Sequence, residues 1–452
     1  TAASWLPVGE AKVERGLAAT HTADTPGGGS LEGTGYGTAL KNLWFLHVVW
    51  AASTGERWSD LSSSTADWVD VLLGAILPTG DRFAPIGDQS RIVEATLTDY
   101  QREALLALAE QFRGTPTGRR ARAGIAASVL PQMERPEAWV FDLLYGAPDP
   151  GAVPAPSRTT YAPGVGHVFT RSGPGADATW LGVLAGPYVE SHAHHDALSI
   201  LVGKRGWVVD DAGLHSASGL VQVEEAHALV ALATAAGPLR MRTGGSARIT
   251  ALRDRPAYLY VAADVGDLYA PSSVEQDREV VFVPPSTILV VDRVDSGATW
   301  LRRRFQVPTP TPAVVGADGV VRSTNAAGTT LEVRRIAPAT GTSTVVEPYT
   351  TVASQVPGDE QFDVTDGWRT SVVADGPGRT VMLHVLSLDG AVTAATPMTV
   401  DTHEGVALTL ADGRRVTAWF SIAGPGGTLE VLAADGSPQV RTDLVAGVEP
   451  PS

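Results

Sequence analysis

The chain of 452 residues contains no cysteine. This absence excludes disulfide bonds, thiolate metal sites and a cysteine nucleophile. No run of 18 apolar residues is present either, so the sequence predicts no transmembrane helix. The N-terminal residues do not have the pattern of a signal peptide. A cysteine-free composition is compatible with a secreted enzyme and with a cytosolic one.

Charged residues are also scarce, at 18% of the chain, and they sum to a net charge of −15. No basic tract offsets the negative charge, so we predict no nucleic-acid partner. An acidic substrate stays compatible with this charge, because a cleft can be locally basic in an acidic protein. The hydrophobic content of 44% is typical of a globular protein, and the length predicts two or three domains.

Two regions of different pattern divide the chain. Residues 1–150 predict about five helices, with apolar residues at helical spacing in 68–77, 99–112 and 137–145. A stretch rich in Pro and Gly at 146–156 marks a boundary. The sequence therefore predicts a helical domain followed by a second domain at 157–452.

The second region has short runs of Val, Ile and Thr between turn residues. They lie at 280–283, 287–291, 300–307, 381–386 and 416–422. Strands at such spacing predict a large antiparallel β-sandwich, with a smaller C-terminal β-lobe that could begin at about residue 370. The predicted class is thus an α+β multidomain protein, with helices first and sheets second.

Histidine is concentrated at one place in the sequence. Three of the ten histidines fall within four residues, as His192, His194 and His195. Histidine is both a metal ligand and a base near neutral pH. Asp211 and His227 follow on neighbouring predicted strands, so two imidazoles and one carboxylate could form a three-ligand metal site. The alternative is a hydrogen-bonded polar cluster that holds two strands together.

Several segments together resemble the heparinase II/III-like polysaccharide lyases. Residues 191–199 (SHAHHDALS) match the family's His-x-His-x-Asp-x-x-Ser signature. The other matching segments, which extend the resemblance over residues 25–305, are 29–36, 85–88 (PIGD), 161–173, 211–213 (DAG), 226–227 (AH) and 290–294.

The resemblance implies an N-terminal α/α toroid, a C-terminal β-sandwich and β-elimination of uronic-acid glycosides in an acidic polysaccharide. Tyr36 and His192 would be the catalytic pair, placed across a sugar ring. One structural zinc ion would be bound by three residues, His194, Asp211 and His227. The residues that the sequence offers for substrate binding are Glu32, Arg171, Arg205 and His215. The predicted location is secreted or periplasmic, with a signal peptide that is not visible in this chain.

The chain departs from the family pattern in its helical region. A toroid needs about twice the predicted helices, and Asn42, the only asparagine in residues 1–150, follows Tyr36 instead of preceding it. We therefore expect the chain to begin within the toroid and a companion N-terminal fragment or chain to complete it. His215 stands near the position where the family often has a tyrosine, and Gly33 and Gly35 replace bulkier residues before Tyr36.

Two other functions compete with the lyase. A non-catalytic carbohydrate-binding protein could keep the same fold. A metallo-β-lactamase-like hydrolase would explain the start of a His-x-His-x-Asp-His signature at His192, although Ala197 occupies its closing position. Tyr36 could also be a loop aromatic in the helical core, and Arg171 and Arg205 could be solvated strand-end residues.

Overall fold

The computed structural model describes residues 2–88, 99–128, 139–211, 222–346 and 368–451. In this part of the chain, all α-helices end by Tyr145 and all strands begin at or after Thr159. The predicted α+β class is therefore confirmed. No described helix is long and apolar enough to cross a membrane.

The helical part begins at the N-terminus and is stabilised by an aromatic and aliphatic core. Its α-helices are α1 Ala2–Lys12, α2 Ala18–Asp24, α3 Lys41–Thr54, α4 Ser64–Ala75, α5 Asp99–Gln111, α6 Pro116–Ala127 and α7 Trp139–Tyr145. The predicted helices at 68–77, 99–112 and 137–145 correspond to α4, α5 and α7. Helix α6 was not singled out; it begins with Pro116 after Thr115, whose side-chain oxygen accepts a hydrogen bond from the Gly118 N–H at 3.3 Å.

Helix α4 joins the helical part to the β part. On one side Trp68 and Leu72 pack into the helical core. On the other side Val71 and Ala75 pack with aromatic residues of the first sheet, including Trp180. The indole N–H of Trp180 donates a 2.7 Å hydrogen bond to Gly74 O near the end of α4. Helix α4 therefore packs against both the helical core and the first sheet.

The first half of the β part contains thirteen strands among the described residues. They are β1 Thr159–Ala162, β2 His167–Arg171, β3 Trp180–Leu184, β4 Pro187–Tyr188, β5 Ile200–Gly203, β6 Trp207–Val209, β7 Val230–Thr234, β8 Gly237–Leu239, β9 Gly245–Ser246, β10 Arg248–Arg255, β11 Tyr258–Asp264, β12 Glu275–Val283 and β13 Thr287–Asp295. Most are short, which leaves long connections between them. The candidate site is built mainly from such connections.

The second half is again almost entirely strand. The strands are β14 Leu301–Thr309, β15 Ala313–Val315, β16 Val321–Thr324, β17 Thr330–Ala337, β18 Ser343–Val346, β19 Trp368–Gly376, β20 Arg379–Leu388, β21 Val392–Val400, β22 His403–Leu410, β23 Arg415–Ser421, β24 Gly427–Leu432, β25 Pro438–Leu444 and β26 Gly447–Val448. The five runs predicted from Val, Ile and Thr fall on β12, β13, β14, β20 and β23.

A nine-stranded sheet forms the central layer, in the order β15-β16-β17-β20-β13-β12-β11-β10-β26. All its pairings are antiparallel except that of β10 with β26. Alternate residues of β13 enter two different cores: Ile288 and Val290 face one, and Leu289 and Val291 face the other. Because side chains alternate along a strand, this sheet is buried on both faces.

The remaining strands form smaller antiparallel sheets on either side of the central layer. Their orders are β1-β2-β3-β5-β6, β18-β19-β14-β7-β8, β21-β22-β23-β24-β25 and β4-β9. The sheet β21–β25 packs on one face of the central layer, and the sheets that contain β5 and β7 contribute to the core on the other face. Strands β19 and β20 join other sheets, so the separate C-terminal sheet begins at Val392. The domain boundaries predicted at 150 and 157 stay predictions.

Candidate active site

The histidine-rich segment forms the loop between β4 and β5. Its main chain is held at several points: the His195 N–H donates to Gln222 O at 2.8 Å, and the Leu198 N–H donates to Leu184 O at 2.7 Å. Leu198 has φ +68°, a conformation that L residues adopt at an energetic cost. The surrounding structure must therefore stabilise this loop.

A buried arginine from the central sheet provides much of that stabilisation. Arg278 in β12 pairs through two hydrogen bonds of 2.7 and 3.0 Å with Asp292 in β13. Its Nη1 also donates to Leu198 O and Ala228 O, each at 2.6 Å. Both side chains are at most 1% exposed. One guanidinium thus ties together the segments that carry His194 and His227.

Three buried side chains converge next to this clamp: His194, Asp211 and His227. Asp211 follows β6, and its Oδ2 lies 3.4 Å from His194 Nδ1 and 3.2 Å from His227 Nδ1. The two imidazole centres are 5.2 Å apart. The structure therefore brings together the three residues that the sequence predicts as metal ligands.

The chemistry of this group favours a positive charge at its centre. His194 Nδ1 is buried and faces Asp211 Oδ2 at 3.4 Å. Burial lowers the pKa of His194, but hydrogen bonds to Asp211 and Asp88 raise it by more, to about 10. Burial raises the pKa of Asp211, yet the nearby His227 and His194 bring it well below its ordinary value. A divalent cation could take the place of the second proton of His194. It would be bound by the lone pairs of the two imidazoles and of the Asp211 carboxylate.

Asp88 links this group to His192. Its Oδ2 lies 2.8 Å from His192 Nδ1, and its Oδ1 lies 2.9 Å from His194 Nε2. Gln222 Nε2 donates to the same two oxygens, at 3.1 and 3.3 Å, and to Ser191 O. Burial raises the pKa of Asp88, but the hydrogen bonds from His194, His192 and Gln222 lower it below its ordinary value. Asp88 is therefore an ionised acceptor.

The helical part brings Tyr36 to the same place. The 30–36 loop lies against the 84–88 loop, where the Thr34 N–H donates to Ile86 O at 2.8 Å. Gly33 and Gly87 have positive φ angles, and a Cβ on Gly87 would lie 2.7 Å from Glu32 O and 2.8 Å from His192 O. Only glycine permits this close approach of three loops.

The Tyr36 ring lies flat on the His192 imidazole. The ring centroids are 3.9 Å apart and the planes differ by 5°. The side chain of His192 is 32% exposed, whereas His194 is buried. Of the histidines in this loop, His192 is thus placed beside the tyrosine and open to solvent, and His194 belongs to the buried group.

The predicted substrate-binding residues lie at different places. Glu32 is half-buried, and its main chain contacts the Asp88 loop. Arg171 donates to Leu73 O and Ile76 O at the end of α4, beside a cavity of about 250 Å³. Arg205 pairs with Asp389 at 3.5 Å. Among the described residues neither arginine contacts Tyr36 or His192. His215 lies outside the described residues.

Other residues of the site had weak or no signals in the sequence. The resemblance included the loop that ends at Asp88, but no role for its carboxylate followed from it. Gln222 stands in a polar segment without a motif. His195 contacts Glu224 Oε1 at 3.1 Å and the edge of the Tyr188 ring. These contacts indicate that His195 maintains the loop.

No protein-family model and no curated protein sequence matches the chain. Solved structures do match it. Heparan sulfate lyase HepC from Pedobacter heparinus aligns with a TM-score of 0.68 at 14% identity, and a structure of heparinase III aligns with 0.69 at 12%. The fold is that of heparinase III. A heparinase III gene product gives a TM-score of 0.67 at 13% identity.

These alignments cover 93% of this chain but only 62–64% of the matched structures. The chain therefore spans slightly less than two thirds of the length of these heparinase III structures. At 12–14% identity the likeness concerns the fold. The resemblance deduced from the sequence motifs is confirmed at that level.

Proposed function

We propose that the protein is a polysaccharide lyase that cleaves a uronic-acid-containing acidic glycan by β-elimination. The observation that carries this proposal is the stacking of Tyr36 on His192, 3.9 Å apart, beside the buried His194–Asp211–His227 group. The fold shared with heparan sulfate lyases supports it. In this proposal Tyr36 and His192 are the catalytic pair.

The reaction requires three chemical contributions. A base removes the C5 proton, the electron pair forms the C4–C5 double bond, and the C4–O4 bond breaks as O4 receives a proton. A positioned base and acid each contribute about 10²–10⁴-fold. Neutralisation of the uronate carboxylate stabilises the developing charge. We assign the first and last steps to Tyr36 and His192. Arg171, Arg205 and His215 are the candidates for binding the uronate carboxylate, and Glu32 is a candidate for binding hydroxyl groups of the sugar.

The stacked geometry changes one expectation from the sequence. Rings at 3.9 Å are in van der Waals contact, so a pyranose ring does not fit between Tyr36 and His192. Both groups would therefore reach a bound sugar from one side instead of lying across it.

We assign the buried group to one structural zinc ion. Two imidazoles and one carboxylate are suitable zinc ligands. His194 Nε2 faces Asp88, which is the carboxylate–histidine arrangement that orients metal-binding histidines. When bound, zinc would hold the β4–β5 loop, the end of β6 and the segment before β7 together.

The metallo-β-lactamase-like alternative is disfavoured by the position of His192. That signature needs His192 as a metal ligand, but its imidazole is stacked on Tyr36, and the three buried side chains that converge are His194, Asp211 and His227. The non-catalytic carbohydrate-binding protein stays the second candidate, and the activity assay below distinguishes it.

A companion helical segment and a secreted or periplasmic location complete the proposal. Support for the companion comes from large apolar side chains that α1 and α7 present to solvent, among them Trp5, Trp139 and Leu143. Intact mass spectrometry of an active preparation would show whether a second polypeptide is present.

The test is the ultraviolet absorbance of the conjugated unsaturated uronate, followed over time on heparan sulfate, hyaluronan, chondroitin sulfate and alginate. We expect a rise on one glycan, and its loss by about 10²-fold or more in Tyr36→Phe and in His192→Ala. Tyr145→Phe and His403→Ala, which lie away from the site, serve as matched controls. Glycan binding without any absorbance change would favour the binding protein, and full activity in both site variants would refute the mechanism.

A further inference from the structure

We propose that Asp88 is a positioning residue that fixes the orientation and tautomer of His192, using a carboxylate that it shares with His194. Its consequence for catalysis rests on the proposed lyase function. The effect of Asp88 on the tautomer of His192 rests on the hydrogen bonds alone. The effect on catalysis and the effect on the tautomer can therefore be tested separately.

Asp88 holds His192 by both main chain and side chain. The Asp88 N–H donates to His192 O at 2.9 Å, and Asp88 Oδ2 lies 2.8 Å from His192 Nδ1. Gly87 permits this close approach, because a Cβ there would lie 2.8 Å from His192 O. The residue is 4% exposed, so water does not compete for its carboxylate.

The shared carboxylate restricts both imidazoles to one hydrogen-bonding pattern. An ionised carboxylate only accepts hydrogen bonds, so His192 must donate from Nδ1 and His194 from Nε2. In neutral His192 the proton on Nδ1 leaves a lone pair on Nε2. In His194 the same constraint directs Nδ1 towards Asp211, 3.4 Å away.

This hydrogen-bonding pattern assigns the role of base to His192 and the role of acid to Tyr36. Nε2 of His192 is an acceptor, so it takes the C5 proton while the C4–C5 double bond forms and the C4–O4 bond breaks. The phenol of Tyr36 gives its proton to O4. The resulting imidazolium and phenolate return to their starting states by proton exchange through solvent.

The decisive variant is Asp88→Asn. An amide presents an oxygen to one imidazole and an NH₂ to the other, and an NH₂ facing His192 Nδ1 requires the opposite tautomer. We expect kcat to fall about 10–100-fold with KM changed by less than about threefold. Asp70→Asn is the matched control, because Asp70 also accepts two hydrogen bonds, of 2.8 and 2.9 Å, from Arg120 in the helical part. It should leave both constants unchanged.

A readout that does not depend on activity is the ¹⁵N NMR spectrum of protein labelled at the histidine ring nitrogens, with His192→Gln used for assignment. We expect the Nδ1–H form of His192 in the wild-type protein and a shift towards Nε2–H in Asp88→Asn. An Nε2–H form in the wild-type protein would overturn the inference even if the variant does not fold.

Metal content is measured on the same samples. Loss of metal from Asp88→Asn with an unchanged His192 tautomer would also overturn the inference, because Asp88 would then act only through His194. A wild-type protein that eliminates no glycan, but whose His192 tautomer changes in Asp88→Asn, would refute the lyase function and leave the positioning role supported.

Discussion

The helical part and the β part differ in how completely their apolar side chains are covered. In the helical part Trp5, Trp139 and Leu143 are 73%, 62% and 84% exposed. In the β part the nine-stranded sheet is buried on both faces, and all residues of β13 except Asp295 are buried. The helical part thus has uncovered apolar surface, whereas the central sheet of the β part buries even some of its charged residues.

The ion pairs of the two parts also differ in how deeply they are buried. Arg278–Asp292 and Arg293–Glu279 lie in the central sheet with every side chain at most 2% exposed. In the helical part the Arg120–Asp70 pair is 21% and 36% exposed, although Lys41–Glu103 is buried. Because Tyr36 comes from the first part and His192 from the second, the site joins regions of unequal packing. Substitutions in the core of the β part should therefore lower the free energy of unfolding. Substitutions at the junction of the two parts should lower the activity before they lower the stability.

We expect the largest loss of stability when the buried Arg278 of the central sheet is replaced. Arg278→Met leaves Asp292 as an unpaired buried charge and frees Leu198 O and Ala228 O. Removal of one partner of a buried pair costs about 3–5 kcal/mol. Guanidinium denaturation should show this loss in the free energy of unfolding.

Arg248→Met is the matched control in the same sheet. Arg248 pairs with Asp264 at 2.9 Å, but its side chain is 74% exposed. An exposed pair contributes about 0–1 kcal/mol. Equal losses in the two variants would contradict the role that we assign to burial.

The second effect concerns the metal and should be confined to the β part. A ligand that binds only the folded state at 100 times its Kd stabilises it by about 2.7 kcal/mol. Addition of zinc to chelator-treated protein should therefore raise the unfolding midpoint, and His227→Ala should abolish that rise. The measurement is thermal unfolding with metal content determined in parallel.

His47→Ala provides the comparison in the helical part. His47 is 5% exposed and packs against the edge of Trp58, so its loss should lower stability without changing the response to zinc. A response to zinc that survives His227→Ala would show that the cation binds elsewhere.

Much of this architecture could be predicted from local patterns. Apolar spacing located α4 and α5, runs of Val and Ile located β12 and β13, and clustered histidines pointed to the buried group. These signals are strong because the residues that generate them are close in the sequence. His47 and His384 stand in apolar runs of the sequence, and both are buried.

The connections between distant segments could not be predicted in the same way. Asp88 is 104 residues from His192 and 134 from Gln222, and nothing local in the sequence indicates that its carboxylate is shared. Arg278 looks like a charged strand residue, yet it holds two loops by their carbonyl oxygens. Such contacts depend on the packing of sheets, for which a single sequence has no periodic signal.

The smallest effect is a pH dependence that should appear in both parts. Burial, with a smaller effect of His21, lowers the pKa of His47 to about 4, and burial lowers that of His167 in β2 to about 4. Below pH 6.5 the unfolded chain binds protons at these positions and the folded protein does not, so stability falls as the pH drops from about 6.5 towards 4. For His47 the loss at pH 5 is on the order of 1–2 kcal/mol. Urea denaturation at pH 7 and pH 5 measures this loss, and His47→Gln and His167→Gln should each reduce the difference between the two free energies of unfolding. If only His47→Gln reduced the difference, the buried His167 of β2 would not contribute to the pH dependence, and the contrast between the two parts would be weaker than their exposed surfaces indicate.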